Sequence, residues 1–187
     1  AGGECVAAGV PPEACGEGFS PSMGGCEPVL PAAPCPEGQL AVPGETDCHE
    51  VAPCGAAPYG DAPVDAATQF VDNAYPGADS DGSAARPWTS VQAGIDAAAP
   101  GALVAVAAGT YAEDVVIADK AVRLWGRCPS LVTIAGAATA LAISGVSGAE
   151  VHGVGLTSAG VGARVAGAQA VALQGVWVHG TGEEGIV

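Results

Sequence analysis

The second half of the chain is a series of short apolar runs broken by glycine. Leu103-Val104-Ala105-Val106, Val115-Val116-Ile117, Val122-Arg123-Leu124 and Val132-Thr133-Ile134 are too brief for helices and rich in β-branched residues, so they predict strands. A repeat with a spacing of 22 runs through the last part of this region. It places Val151 on Leu173, Gly153 on Gly175, Val154 on Val176 and Gly160 on Gly182. The same offset places Leu141 on Ala163, Ile143 on Val165, and Val165 on Val187. Short strands, glycine corners and this period predict an all-β solenoid, in which inward side chains stack coil on coil about 4.8 Å apart.

A different pattern precedes the first strand. Val91, Ile95 and Ala98 fall on one helical face, Pro100-Gly101 stops it, and Thr89-Ser90-Val91-Gln92 fits a capping box with Thr89 at the N-cap. The prediction is one amphipathic helix of about ten residues, placed to cover the open end of the solenoid.

Composition changes near residue 65. Residues 1–63 hold 11 of the 15 prolines and no Lys or Arg, and six of the seven cysteines fall before residue 55. Prolines at this density exclude long helices and interior strands. Cys5, Cys15, Cys26, Cys35, Cys48 and Cys54 are at disulfide-scaffold density, with 15 possible pairings. No C-x-x-C pair is present, and His49 alone does not make a zinc pattern. Three fates are open to Cys128: an upstream cysteine, another chain, or a buried thiol. The expected organisation is a Cys- and Pro-rich acidic disulfide segment over 1–65 and a solenoid domain over 66–187.

Several segments resemble a known superfamily. Phe70-Val71-Asp72-Asn73, Gly77-Ala78-Asp79-Ser80-Asp81-Gly82, Arg86-Pro87-Trp88-Thr89-Ser90-Val91-Gln92-Ala93-Gly94-Ile95-Asp96-Ala97-Ala98 and Gly109-Thr110-Tyr111 stand in the order seen at the start of such proteins. The run resembles the right-handed parallel β-helix proteins of the pectin-lyase-like superfamily. That resemblance covers residues 69–187 and implies the fold. The superfamily holds lyases, hydrolases, adhesins and secreted proteins of unknown role, so it implies no single activity.

Charge narrows the function. Five basic against 20 acidic residues give a net charge of −15, which excludes nucleic-acid and anionic-membrane partners that need a basic footprint. No apolar run is long and uninterrupted enough for a membrane span. Lys120, Arg123 and Arg127 cluster near the first coil, and the expectation is that they pair with acids such as Asp114 and Asp119. Arg164 stands alone. No nucleophile motif, phosphate loop or dinucleotide fingerprint is present.

Three places remain for chemistry. Asp72, Asp79 and Asp81 form a short acidic loop of the kind that binds calcium, or an Asx-rich turn bonding to its own backbone. Trp177 lies between Val176 and Val178 and so points outward, where its ring suits a sugar face or covers a neighbouring coil. His179 is near Glu183 and Glu184, an arrangement suited to a local acid–base pair or a plain surface turn. His152 and His179 fall in different columns of the repeat. The expectation is a secreted or surface-displayed, non-enzymatic module for binding or structure, directed at glycans or the cell envelope, with calcium as its one candidate cofactor. The alternatives are the N-terminal part of a polysaccharide lyase or hydrolase with active-site coils beyond Val187, and a subunit stacking end to end. The repeat reaches the last residue without a polar cap, which predicts a natural chain that continues.

Overall fold

A computed structural model describes residues 10–187, so Cys5 lies outside the described residues. The chain divides into two compact units, Ala1–Glu50 and Val51–Val187. Residues 51–65 thus group with the solenoid, although their composition matches the first unit.

The first unit holds two disulfide-bridged hairpins. Strands β1 (Phe19–Ser22) and β2 (Gly25–Pro28) pair antiparallel, as do β3 (Gln39–Leu40) and β4 (His49–Glu50). Cys15 bridges to Cys26 and Cys35 to Cys48, each tying the approach to a hairpin to its return. The sequence repeats with the structure: Cys15-Gly16-Glu17-Gly18 recurs as Cys35-Pro36-Glu37-Gly38. Gly18 and Gly38 both take positive φ, at 83° and 74°. With so little apolar surface to bury, bridges replace a core.

The second unit is a parallel β-solenoid. It comprises β5 (Gln69–Val71), α1 (Val91–Ala97), β6 (Leu103–Val106), β7 (Gly109–Tyr111), β8 (Val115–Ile117), β9 (Arg123–Gly126), β10 (Val132–Gly136), β11 (Thr139–Ser144), β12 (Glu150–His152), β13 (Gly155–Ser158), β14 (Val161–Ala166), β15 (Ala172–Gln174) and β16 (Trp177–Val178). From β6 onward every third strand joins the same sheet, and β5 adds to the first, giving the orders β5-β6-β9-β12-β15, β7-β10-β13-β16 and β8-β11-β14. All these pairings are parallel. Three sheets thus enclose about three full turns and the start of a fourth, where Ile186 pairs with Ala163.

The core is a set of stacked columns. Val104, Leu124, Val151 and Leu173 are in register in the first sheet. Tyr111, Ile134, Leu156 and Val178 stack in the second. Val115-Leu141-Ala163 and Ile117-Ile143-Val165 stack in the third. Most of these side chains are fully buried. Each complete aliphatic burial contributes roughly 1.5–3 kcal/mol. The predicted pairs Val151–Leu173, Leu141–Ala163 and Ile143–Val165 are all formed.

The helix differs in detail from its prediction. It spans seven residues, and Ser90, not Thr89, is the N-cap, its hydroxyl accepting from the Ala93 N–H at 3.2 Å. Glu113 supplies the carboxylate of the cap from a distant loop, accepting from the N–H groups of Val91 and Gln92 at 2.7 and 3.0 Å. An acidic group there also suits the helix dipole. Gln92 is thereby released for another task. Its amide oxygen accepts from the Val116 N–H at 2.8 Å and its amide nitrogen donates to the Val116 carbonyl at 3.2 Å. The side chain copies a neighbouring strand on the free edge of β8.

Two outcomes test this account. Gln92→Ala leaves two edge groups of Val116 without their partner, and unfolding in urea should show a loss of about 1–3 kcal/mol. Ala170 takes φ 49° at the place where Gly148, with φ 82°, stands one coil earlier. Ala170→Gly relieves that cost while loosening the unfolded chain, so it should raise stability by roughly 0.5–1 kcal/mol in the same assay.

Candidate functional site

The most site-like surface lies on the outer face of the first sheet. There Trp125, His152 and Gln174 occupy one outward column on three successive coils. The indole and imidazole rings stack at 4.0 Å between centroids with 13° between planes. Glu150 Oε2 comes to 3.5 Å from His152 Nε2, but without hydrogen-bonding geometry, so that buried nitrogen has no partner. Glycine marks the corner after each column residue: Gly126 ends β9, and Gly153 and Gly175 follow β12 and β15. A Cβ on Gly153 would sit 2.7 Å from the Gly126 carbonyl oxygen, and one on Gly175 would sit 2.8 Å from the Ala52 Cβ.

A strap formed by residues 51–65 makes the other wall. Cys54 is bonded to Cys128, which answers the question left open for that cysteine. Arg127 Nε donates to the Cys54 carbonyl at 3.2 Å and Nη2 to the Gly55 carbonyl at 3.4 Å. Tyr59 packs on Phe70 with centroids 4.8 Å apart, and Arg123 approaches Asp65 at 3.7 Å. Burial, helped by the charge of Asp72, pushes the Tyr59 hydroxyl up to about 12. Between strap and sheet runs a groove of about 270 Å³, lined by Ala52, Pro53, Asp61, Trp125, His152 and Gln174, among others.

The acidic loop closes on a guanidinium. Arg86 bonds to Asp81 and approaches Asp79 at 3.7 Å. Tyr75 donates to Asp79 at 2.7 Å, and the Ser83 N–H donates to Asp81 at 3.0 Å. Asp72 instead accepts from the Ala74 N–H at 2.9 Å. Among the described residues no three His, Cys, Asp or Glu side chains converge as a cation's ligands. The hydroxyl of Tyr75 is the main cause holding Asp79 below the ordinary aspartate range, and Ser83 does the same for Asp81, with Arg86 adding to both.

Trp177 is in the outward column of the second sheet, in register with Gly155. It is half-buried, and the imidazole of His179 covers one ring face at 3.7 Å and 18°. His179 Nε2 is buried without a hydrogen-bond partner, so it makes no pair with Glu183 or Glu184. The expected pairing of the first-coil cations with Asp114 and Asp119 is corrected as well. Asp114 accepts from the N–H groups of Ala137 and Ala138, Lys120 donates to the Asp96 carbonyl, and Arg127 serves the strap. Backbone groups at turns have no other partner, so they take these side chains first.

Sequence reasoning placed His152 over Gln174 but missed Trp125 as their neighbour. Trp125 precedes His152 by 27 residues, because the loop carrying Cys128 lengthens that coil beyond the 22-residue period. A search for the period alone therefore passes over the ring pair.

Loss of the Cys54–Cys128 bridge, which spans 74 residues, should cost the second unit about 4 kcal/mol, measured by urea unfolding of the Cys54→Ser/Cys128→Ser variant. The acidic loop gives a pH outcome. Both carboxyls titrate below 3.8 when folded, so the stability they contribute is complete above about pH 4 and is lost as pH falls through their lowered values. Tyr75→Phe should move the Asp79 titration upward, read by carboxyl carbon NMR, while Asp81 stays in place.

Compared with protein-family models, curated proteins and solved structures, the chain matches none of them.

Proposed function

We propose that this chain is an extracellular, non-enzymatic β-helix module that binds a glycan of the cell envelope or surroundings. Its fold is that of a parallel β-solenoid, and the three disulfides among the described residues suit an oxidising compartment. Among the described residues no helix is long and apolar enough to cross a membrane. The right-handed, pectin-lyase-like assignment belongs to this proposal and rests on the segments at residues 69–111 together with the solenoid.

One observation carries the reading. The outer face of the longest sheet presents the Trp125–His152–Gln174 column beside a groove, and these are residue types that bind polyhydroxylated ligands by packing and amide hydrogen bonds. What supports binding over turnover is the employment of the charged side chains. Arg86, Arg123, Arg127 and Lys120 are engaged with nearby acids or carbonyls.

The test is a glycan array probed with the secreted protein, run beside an assay for unsaturated uronate release from acidic polysaccharides. Binding without product is the expected result. Release of unsaturated product would overturn the non-enzymatic reading.

A further inference from the structure

Given the glycan-binding reading, we infer that the groove between the strap and the first sheet holds one uncharged pyranose ring. Asp61 and Gln174 are its hydrogen-bonding residues, and the strap sets its specificity. Size is the first argument. The groove measures about 270 Å³, just under the roughly 300–1,000 Å³ of sites that take drug-sized ligands, which suits one sugar ring.

Chemistry is the second argument. Asp61 and Gln174 are exposed side chains on opposite walls of the groove. A carboxylate accepts two hydrogen bonds from neighbouring hydroxyls, and a primary amide both donates and accepts. Arg127 commits Nε and Nη2 to the carbonyls of Cys54 and Gly55, so its role at the groove is to hold the strap. Arg127 keeps its positive charge while bonded to those carbonyls, but it is half-buried, so Asp61 is the more exposed of the two charges lining the groove, on a chain of net charge −15. An anionic sugar would be repelled, whereas a neutral one would not. Between the two polar groups the half-buried Trp125 and His152 supply the apolar floor, and at Gly175 a Cβ would collide with Ala52 of the strap.

The wall is held by covalent and polar ties. Cys54 is bonded to Cys128 and Arg127 holds the two carbonyls beside it, so Asp61 faces the sheet from a fixed strap and not from a free loop. A pre-positioned acceptor loses less freedom on binding.

Saturation-transfer NMR tests the assignment, using methyl glycosides of neutral hexoses and of the matching uronic acids as probes. The intact protein should bind at least one neutral glycoside, and each matching uronide about tenfold more weakly. Asp61→Ala and Gln174→Ala, both on exposed side chains, should each lower affinity about tenfold with unchanged circular dichroism. The Cys54→Ser/Cys128→Ser variant should lose binding while keeping its β spectrum. Neutral-sugar binding that survives both alanine variants would overturn the groove and leave the glycan reading standing. Preference for the uronides would overturn the uncharged assignment. An intact protein that binds neither the glycosides nor any glycan on the array would overturn the glycan reading itself.

Discussion

A coil in a parallel solenoid finds half of its backbone partners on the coil before it, and the first coil has none. Unpaired strand groups are costly when buried and invite foreign strands when exposed. The rest of the second unit depends on how this edge is closed. Each of the three sheets has its own answer. Strand β5 pairs with β6, and Trp88 bridges to Val71 beneath it. Asn73 Nδ2 donates to the Thr110 carbonyl on the edge of β7 at 2.8 Å. Gln92 serves both groups of Val116 on the edge of β8. Two side-chain amides and one strand thus stand in for a missing coil, and α1 lays Val91 and Ile95 over the ends of the apolar columns.

Closing the edge ties the helix to the register. Gln92 reaches Val116 while Glu113 caps the first turn of α1, and Glu113 lies on the turn just before β8. Capping and edge pairing are therefore one network, and it holds the helix at the place where its apolar face meets the core. Above this base the columns propagate without further devices, because each aliphatic side chain finds the same kind of side chain one coil later.

The strap adds what the solenoid lacks. A solenoid surface is flat, and flat surfaces bind small ligands poorly. The bridge from Cys54 to Cys128 and the bonds of Arg127 bring a second wall against the sheet and make a groove. Cys54 follows Ala52-Pro53 as Cys35 follows Ala33-Pro34, so the strap begins like another disulfide hairpin. Its cysteine pairs with the solenoid instead of with a returning strand.

Much of the architecture was legible in the sequence, because period, alternation and capping residues are local signals. The late coils, the short helix and the disulfide character of the first 50 or so residues all follow from spacing and residue type. The 22-residue register also placed His152 over Gln174. Other features depend on contacts between residues far apart in the chain. Nothing local marks Glu113 as the cap of α1, Cys54 as the partner of Cys128, or Trp125 as the ring beneath His152. Each joins positions whose separation is set by a loop of irregular length, and a period cannot count across such a loop. Sequence determined what each coil is made of. Tertiary structure decided which outward side chains became neighbours, because only the closed stack fixes how far each loop lets the next strand advance.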